Sequence, residues 1–152
     1  MSDEITGVAN TGMPSHAYFL DTLARADDDA LKAFAEDLLP RLGAIEVVQS
    51  RTGLVMLPMR DTVSSTDFHL GEVLVAEAHI RIRNTEIEGY GMVIGRDLER
   101  AMAMAVIDAA ATAGTDRERL ARFVSTEAMR IKAADEQRLC AVEATRVEME
   151  TF

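Results

Sequence analysis

The spacing of apolar residues changes twice along the chain, from a helical repeat to strand alternation and back. Tyr18, Phe19, Leu20 and Leu23 follow Ser15 at helical spacing, which predicts a capped helix through about Arg25. A second helix opens on Asp27, Asp28 and Asp29, where negative charge suits the positive end of the helix dipole. Leu31, Phe34, Ala35, Leu38 and Leu39 form its apolar face, and Pro40 and Gly43 are expected to end it.

From Ile45 the pattern turns β-like. Ile45 to Arg51 and Leu54 to Met59 read as two short strands joined by a turn at Thr52-Gly53. Pro58 has no amide hydrogen to give a ladder, so its strand belongs at an edge. A polar loop, Asp61 to Thr66, leads to the longest alternating stretch, Glu72 to Asn84. Leu74, Ala76, Ala78, Ile80 and Ile82 fall on one face of it; Val73, Val75, Glu77, His79, Arg81 and Arg83 fall on the other. One buried and one wet face is the mark of an antiparallel sheet. A turn near Thr85-Glu86 then hands over to a hairpin partner, Ile87 to Ile94.

Asp97 is placed to cap a helix bearing Leu98, Ala101, Met102, Ala105, Val106 and Ala109. Ala103, Met104 and Ile107 fill the opposite side, so this helix is apolar nearly all round and must be buried, in its own core or against another chain. Gly114 stops it. Thr115 and Glu118 have capping-box spacing, and helical pattern continues to Thr145, with a break expected near Ser125. Val147 to Glu150 alternate and are expected to return to the sheet.

The order helices, strands, helices predicts an α+β fold: an antiparallel sheet packed against helices, with an N-terminal helix pair and a long C-terminal helical segment. Residues 1–14 read as a flexible tail and residues 15–152 as a single domain. At 152 residues, 48% of them hydrophobic, the chain is large enough to bury a core of its own.

The net charge of −10 argues against binding nucleic acid or an anionic membrane, since both draw on lysine and arginine. The longest apolar run, Ala101 to Ile107, is far short of the ~20 residues that span a bilayer. The N-terminus, Met1-Ser2-Asp3-Glu4, lacks the apolar stretch of a secretory signal, and the single thiol, Cys140, forms no internal disulfide. A cytoplasmic location is expected.

Catalytic chemistry is thinly represented. His16, His69 and His79 are the three histidines, and none has metal-ligand spacing with another His or Cys. Glu77 and His79 share a strand face, but alternating charge on an exposed strand face is ordinary. His69 and Gly71 enter the long strand, and Gly71 suggests a positive-φ turn or a close backbone approach. Gly95-Arg96-Asp97 sits at a helix N-terminus, where free amides attract anions, although Asp97 opposes this with its own charge. Acid–base catalysis by His69 or His79 is disfavoured for want of positioned neighbours.

One resemblance adds to this. Thr52-Gly53-Leu54-Val55 with Arg60, then Phe68 and Leu70-Gly71-Glu72, then Gly89-Tyr90-Gly91, Val93, Gly95-Arg96-Asp97, Ala101 and Ile107-Asp108-Ala109 recur in the order seen in PhnG proteins. Ala144-Thr145-Arg146-Val147 is also similar. The chain thus resembles the PhnG subunit family of the bacterial carbon–phosphorus lyase system. It departs from the family at Asp61–Thr66, where a glycine-rich loop is common, and at Ala76-Glu77-Ala78, where Thr-Arg-Cys is usual.

The resemblance implies membership of a core complex with PhnH-, PhnI- and PhnJ-like subunits. That assembly displaces adenine from MgATP with a phosphonate, giving ribose 1-phosphonate 5-triphosphate. A later radical step in PhnJ uses S-adenosylmethionine and an iron–sulfur cluster. This subunit is expected to bind no cofactor itself and to act as an accessory part, with the all-round apolar helix Leu98 to Ala111 packed on a partner. Isolated, it is expected to pair with itself to cover a Met-rich surface. The candidates for interface or anion contact are Arg60, His69, Glu72, Arg81, Arg83, Tyr90, Arg96 and Asp97. The alternative is a binding module for a phosphonate or nucleotide, held by Arg60, Arg81, Arg83 or Arg96.

Overall fold

In the computed structural model, which describes residues 14–147, seven elements follow in the order α1 (His16–Ala24), α2 (Asp28–Leu42), β1 (Ile45–Arg60), β2 (Asp67–Ile82), β3 (Glu88–Ile94), α3 (Leu98–Ala113) and α4 (Arg117–Ala144). The fold is α+β, with a three-stranded antiparallel sheet in the order β1-β2-β3. The expected tail, apart from Pro14, and the expected return of residues 148–150 to the sheet lie outside the described residues.

The helix starts follow the local chemistry. The Ser15 hydroxyl accepts from the Tyr18 amide at 3.4 Å, and the Asp27 carboxylate from the Ala30 amide at 3.0 Å. Pro40 does not stop α2, which runs on to Leu42; Gly43, at φ 80°, ends it. Gly114, at φ 73°, closes α3 with the Gly114 amide donating to Ala111 O and the Thr115 amide to Ala110 O. That closure occupies Thr115, so the predicted capping box does not form; Asp116 precedes α4 in a left-handed conformation without a side-chain cap. The predicted break at Ser125 is also absent. Ser125 is exposed and costs little more than its weak helix propensity, while Leu120, Val124 and Glu127 hold the buried face continuous through it.

α3 is the centre of the molecule. Ala101 and every residue from Ala103 to Ala110 are buried, enclosed by β3, β2, α2 and α1 of the same chain. This corrects the expectation that its all-round apolar surface awaits a partner: the chain's own elements cover it. Ile107 of this helix and Leu23, Leu31, Leu38, Ile80 and Leu120 around it are fully buried, each contributing roughly 1.5–3 kcal/mol of burial. Phe34 stacks on Phe123 at 4.4 Å between ring centres, and the Arg119 guanidinium lies 5.5 Å from the Phe34 centre.

α4 is pinned where α1 meets α2. Buried Glu127 accepts from the Asp27 amide at 2.9 Å and from Arg130 Nε at 2.8 Å. Arg25 binds Asp135 at 2.7 Å. Beyond Asp135 the helix is exposed, and so is the Cys140 thiol. Its neighbours Leu139 and Val142 are exposed as well among the described residues.

Candidate functional site

The outer face of the sheet carries a row of paired polar groups set by strand register. Arg51 lies opposite Glu77, His79 opposite Tyr90, and Arg81 opposite Glu88. Arg51 Nε donates to Glu77 Oε2 at 2.8 Å, and the Tyr90 hydroxyl donates to Glu77 Oε1 at 2.8 Å. His79 Nε2 is 3.0 Å from Glu88 Oε2, while Arg81 Nε donates to Glu88 Oε1 at 3.0 Å.

These contacts move the titrations. Arg51, and then the Tyr90 hydroxyl, hold the Glu77 carboxyl below the usual range. Arg81, and then His79, do the same for Glu88. Burial, with the hydrogen bond to Glu77 adding to it, pushes the Tyr90 phenol up from 10.0 to about 12. A phenol with a raised folded pKa adds stability that is whole below pH 10.0 and is lost as the pH climbs towards 12. Spectrophotometric titration should therefore resolve one of the two tyrosines near 12, absent in Tyr90→Phe and shifted down in Glu77→Gln. A Tyr90 transition at 10 in the folded protein would show that neither the burial of the phenol nor its contact with Glu77 holds in solution.

Behind this face, Asp108 on α3 reaches the open edge of β3. Its Oδ2 accepts the Tyr90 amide at 3.0 Å, and its Oδ1 is 2.7 Å from His16 Nε2. Asp108 is buried, whereas His16 is two-thirds exposed. A hydrogen-bonded acceptor is what a buried edge amide needs.

The second feature is the far half of the β1–β2 hairpin. β3 pairs with β2 only from Arg81 to Val75. From Leu54↔Leu74 to Arg60↔Asp67 the ladder has two strands, and its residues are exposed or nearly so. Thr52-Gly53 is no turn, contrary to the sequence expectation: Gly53 pairs with Val75 inside one continuous strand of 16 residues. Gly71 has neither a positive φ nor a close neighbour, so the turn or close approach expected there is not made.

The eight candidate residues do not gather at one place. Arg60 pairs with Asp67 at 2.8 Å at the closed end of the hairpin, His69 faces Pro58, and Glu72 faces Met56. Arg81 and Tyr90 belong to the outer polar row. Asp97 caps α3 by accepting the Arg100 amide at 2.9 Å and binds Lys32 Nζ at 2.7 Å, which lowers its pKa. Arg83 and Arg96 are exposed and make no ion pair among the described residues. They flank β3 at opposite ends, about 20 Å apart along a strand of this length, so the four arginines do not converge on one anion. Sequence reasoning missed Arg51 and the His16–Asp108 pair. The available signal was an aspartate within an otherwise apolar helix face, since charge in such a place needs a partner.

Residues 16–152 match the family model described as phosphonate metabolism protein PhnG. The chain belongs to the PhnG family. A relative from Rhizobium meliloti (strain 1021), named alpha-D-ribose 1-methylphosphonate 5-triphosphate synthase subunit PhnG, is 32% identical over 101 residues. That stretch covers 66% of this chain and 64% of the relative, so less than two thirds of the relative's length is spanned.

The PhnG-like motifs now have places in the fold. Gly89, Gly91, Ala101 and Asp108 form the contact between β3 and α3. A Cβ built on Gly89 would lie 2.1 Å from Ala105 O, and one on Gly91 2.1 Å from Ala101 O. Leu54, Val55, Phe68, Leu70 and Gly71 lie on the exposed hairpin. The motifs thus divide between internal packing and an exposed apolar surface.

Proposed function

We propose that this chain is an accessory subunit of an alpha-D-ribose 1-methylphosphonate 5-triphosphate synthase in phosphonate breakdown. The observation that carries the reading is the family match from residue 16 to residue 152, joined to a relative whose printed name makes it a subunit of that enzyme. The exposed apolar hairpin supports it, since contiguous apolar surface on a chain with its own complete core marks an interaction site.

In this reading the assembly exchanges the adenine of MgATP for a phosphonate, and PhnH-, PhnI- and PhnJ-like proteins are the partners. MgATP, S-adenosylmethionine and the iron–sulfur cluster are held by other subunits, and the complex works in the cytoplasm. No helix among the described residues is long and apolar enough to cross a membrane, which is compatible with that location. The anion-binding alternative is weakened because Arg60 and Arg81 are already paired within the chain.

The test is affinity purification of the tagged protein from its own host grown on a phosphonate, with mass spectrometry of what accompanies it. PhnH-, PhnI- and PhnJ-like proteins in near-equal amounts are expected. A folded protein that comes down alone overturns the subunit reading.

A further inference from the structure

We propose that the distal β1–β2 hairpin is a plug that inserts into an apolar, two-walled cleft on a different subunit of the assembly; this rests on the subunit reading above.

Three observations point to that occupant. The first is that both faces of the hairpin are apolar. Leu54 and Met56 lie on the side that continues the core face of the sheet, while Val55 and Leu57 lie on the other. With Met59, Phe68 and Leu70, these side chains are 40–63% exposed. A flat partner covers one face; a cleft covers both. The stretch from Gly53 to Arg60 is about 25 Å long, and its two faces offer on the order of 800 Å², which is one side of a standard interface.

The second observation is that the free edge of β1 is blunted. The ladder shifts register between Val47 and Gln49 and again between Leu57 and Pro58, and Pro58 has no amide to donate. Bulges and prolines are how edge strands avoid pairing with another strand. A second copy of this chain docking edge to edge would meet these obstacles and would still leave both faces in water. The distal edge of β2, Asp67 to Leu74, has no strand partner among the described residues either, but pairing there would also leave both apolar faces in water, so the faces are what a partner must cover.

The third is charge. Residues 51–74 hold Arg51 and Arg60 against Asp61, Asp67 and Glu72, a net charge of −1 in a chain of −10. The hairpin is the near-neutral part of an acidic molecule. Two copies approaching each other bring two such acidic bodies together, and like charge opposes that contact. A partner cleft lined by aliphatic and aromatic side chains, without acidic groups, meets the plug at no electrostatic cost.

The experiment co-expresses the tagged chain with the other synthase subunits of the same host and measures how much of each co-elutes. Leu54→Lys and Leu57→Lys put a charge on each face in turn. A shortened form, in which Asn-Gly replaces residues 56–72 and closes a two-residue turn between the paired Val55 and Val73, removes the plug. All three leave the helix-covered core untouched, so the lysine variants should keep the parent's far-ultraviolet spectrum and melting temperature, and the shortened form should keep the helical signal and a cooperative melt while losing strand signal. Recovery of the partner subunits should fall at least tenfold for each lysine variant and disappear for the shortened form.

Undiminished recovery by the folded variants, beside a parent chain that co-elutes, overturns the plug alone. Loss with only one lysine variant overturns the two-walled cleft in favour of a flat contact. A parent chain that is a dimer by light scattering, a shortened form that is a monomer and full recovery by both assign the hairpin to a second copy and overturn the proposal. A parent chain that recovers no partner overturns the subunit reading and this one with it.

Discussion

Gly91→Ala should destabilise the protein by about 3 kcal/mol, the upper end of the usual cost of overpacking. The reason is the distance between β3 and α3. The added Cβ would sit 2.1 Å from Ala101 O and 2.9 Å from Ala105 N, both backbone atoms of a helix fixed on every side. A flexible side chain could move away; a buried helix backbone moves only with its neighbours. At ~2–4 °C per kcal/mol for a domain of this size, the midpoint of thermal unfolding should fall by about 6–12 °C. Gly71→Ala is the matched control, because a Cβ there meets nothing within 4 Å. It should be neutral or mildly stabilising, since glycine is a poor strand residue. Equal midpoints for the two variants would mean that the helix does not approach β3 as closely as the geometry requires.

This contact also shows which parts of the fold can be read from the sequence. Alternation along Leu74–Ile82 identifies the core face of β2, and Asp97 identifies the start of α3, because both signals are local. β1 is harder to read. Its far half is apolar on both faces and exposed on both, so there is no burial alternation to mark it as one strand, and Thr52-Gly53 looks like a turn. What keeps it straight is pairing with β2, from Arg51↔Glu77 to Leu54↔Leu74, and that register is not written in either segment alone. α3 fails in the opposite way. Its all-round apolar surface correctly signals full burial, but periodicity does not say which elements do the burying. The glycines at 89 and 91 held that information, since they are the positions that let a helix lie against the strand.

For the candidate site, the polar row on β2 is legible and its pairing is not. Glu77, His79 and Arg81 fall on one face by simple parity. That Arg51, Tyr90 and Glu88 are their partners depends on the register of three strands. The consequence is chemical. Once Glu77 and Glu88 each hold two partners, their charge is spent on holding strands together. Of the four arginines considered for an anion, the two left exposed and without an ion pair among the described residues, Arg83 and Arg96, lie at opposite ends of β3.

Asp108 provides the second large effect. Asp108→Ala should cost about 2 kcal/mol, because it strips the acceptor from the Tyr90 amide on the open edge of β3, and a buried donor without a partner costs ~1–3 kcal/mol. His16→Ala removes the other partner of the same carboxylate but should cost under ~1 kcal/mol, since the imidazole is two-thirds exposed and such a pair is screened by water. The asymmetry separates two roles. If the carboxylate is there to cap the strand edge, Asp108→Ala speeds hydrogen exchange at the Tyr90 amide and His16→Ala leaves it slow. Asp108→Asn, which keeps one acceptor oxygen, should restore most of the protection. If the carboxylate is there to orient a working histidine, His16→Ala and Asp108→Asn should instead abolish growth on phosphonate in a protein of nearly normal stability. The geometry favours the first outcome: the amide bond lies inside the β3–α3 contact, where losing it exposes the join between sheet and helix, and the histidine lies at its rim.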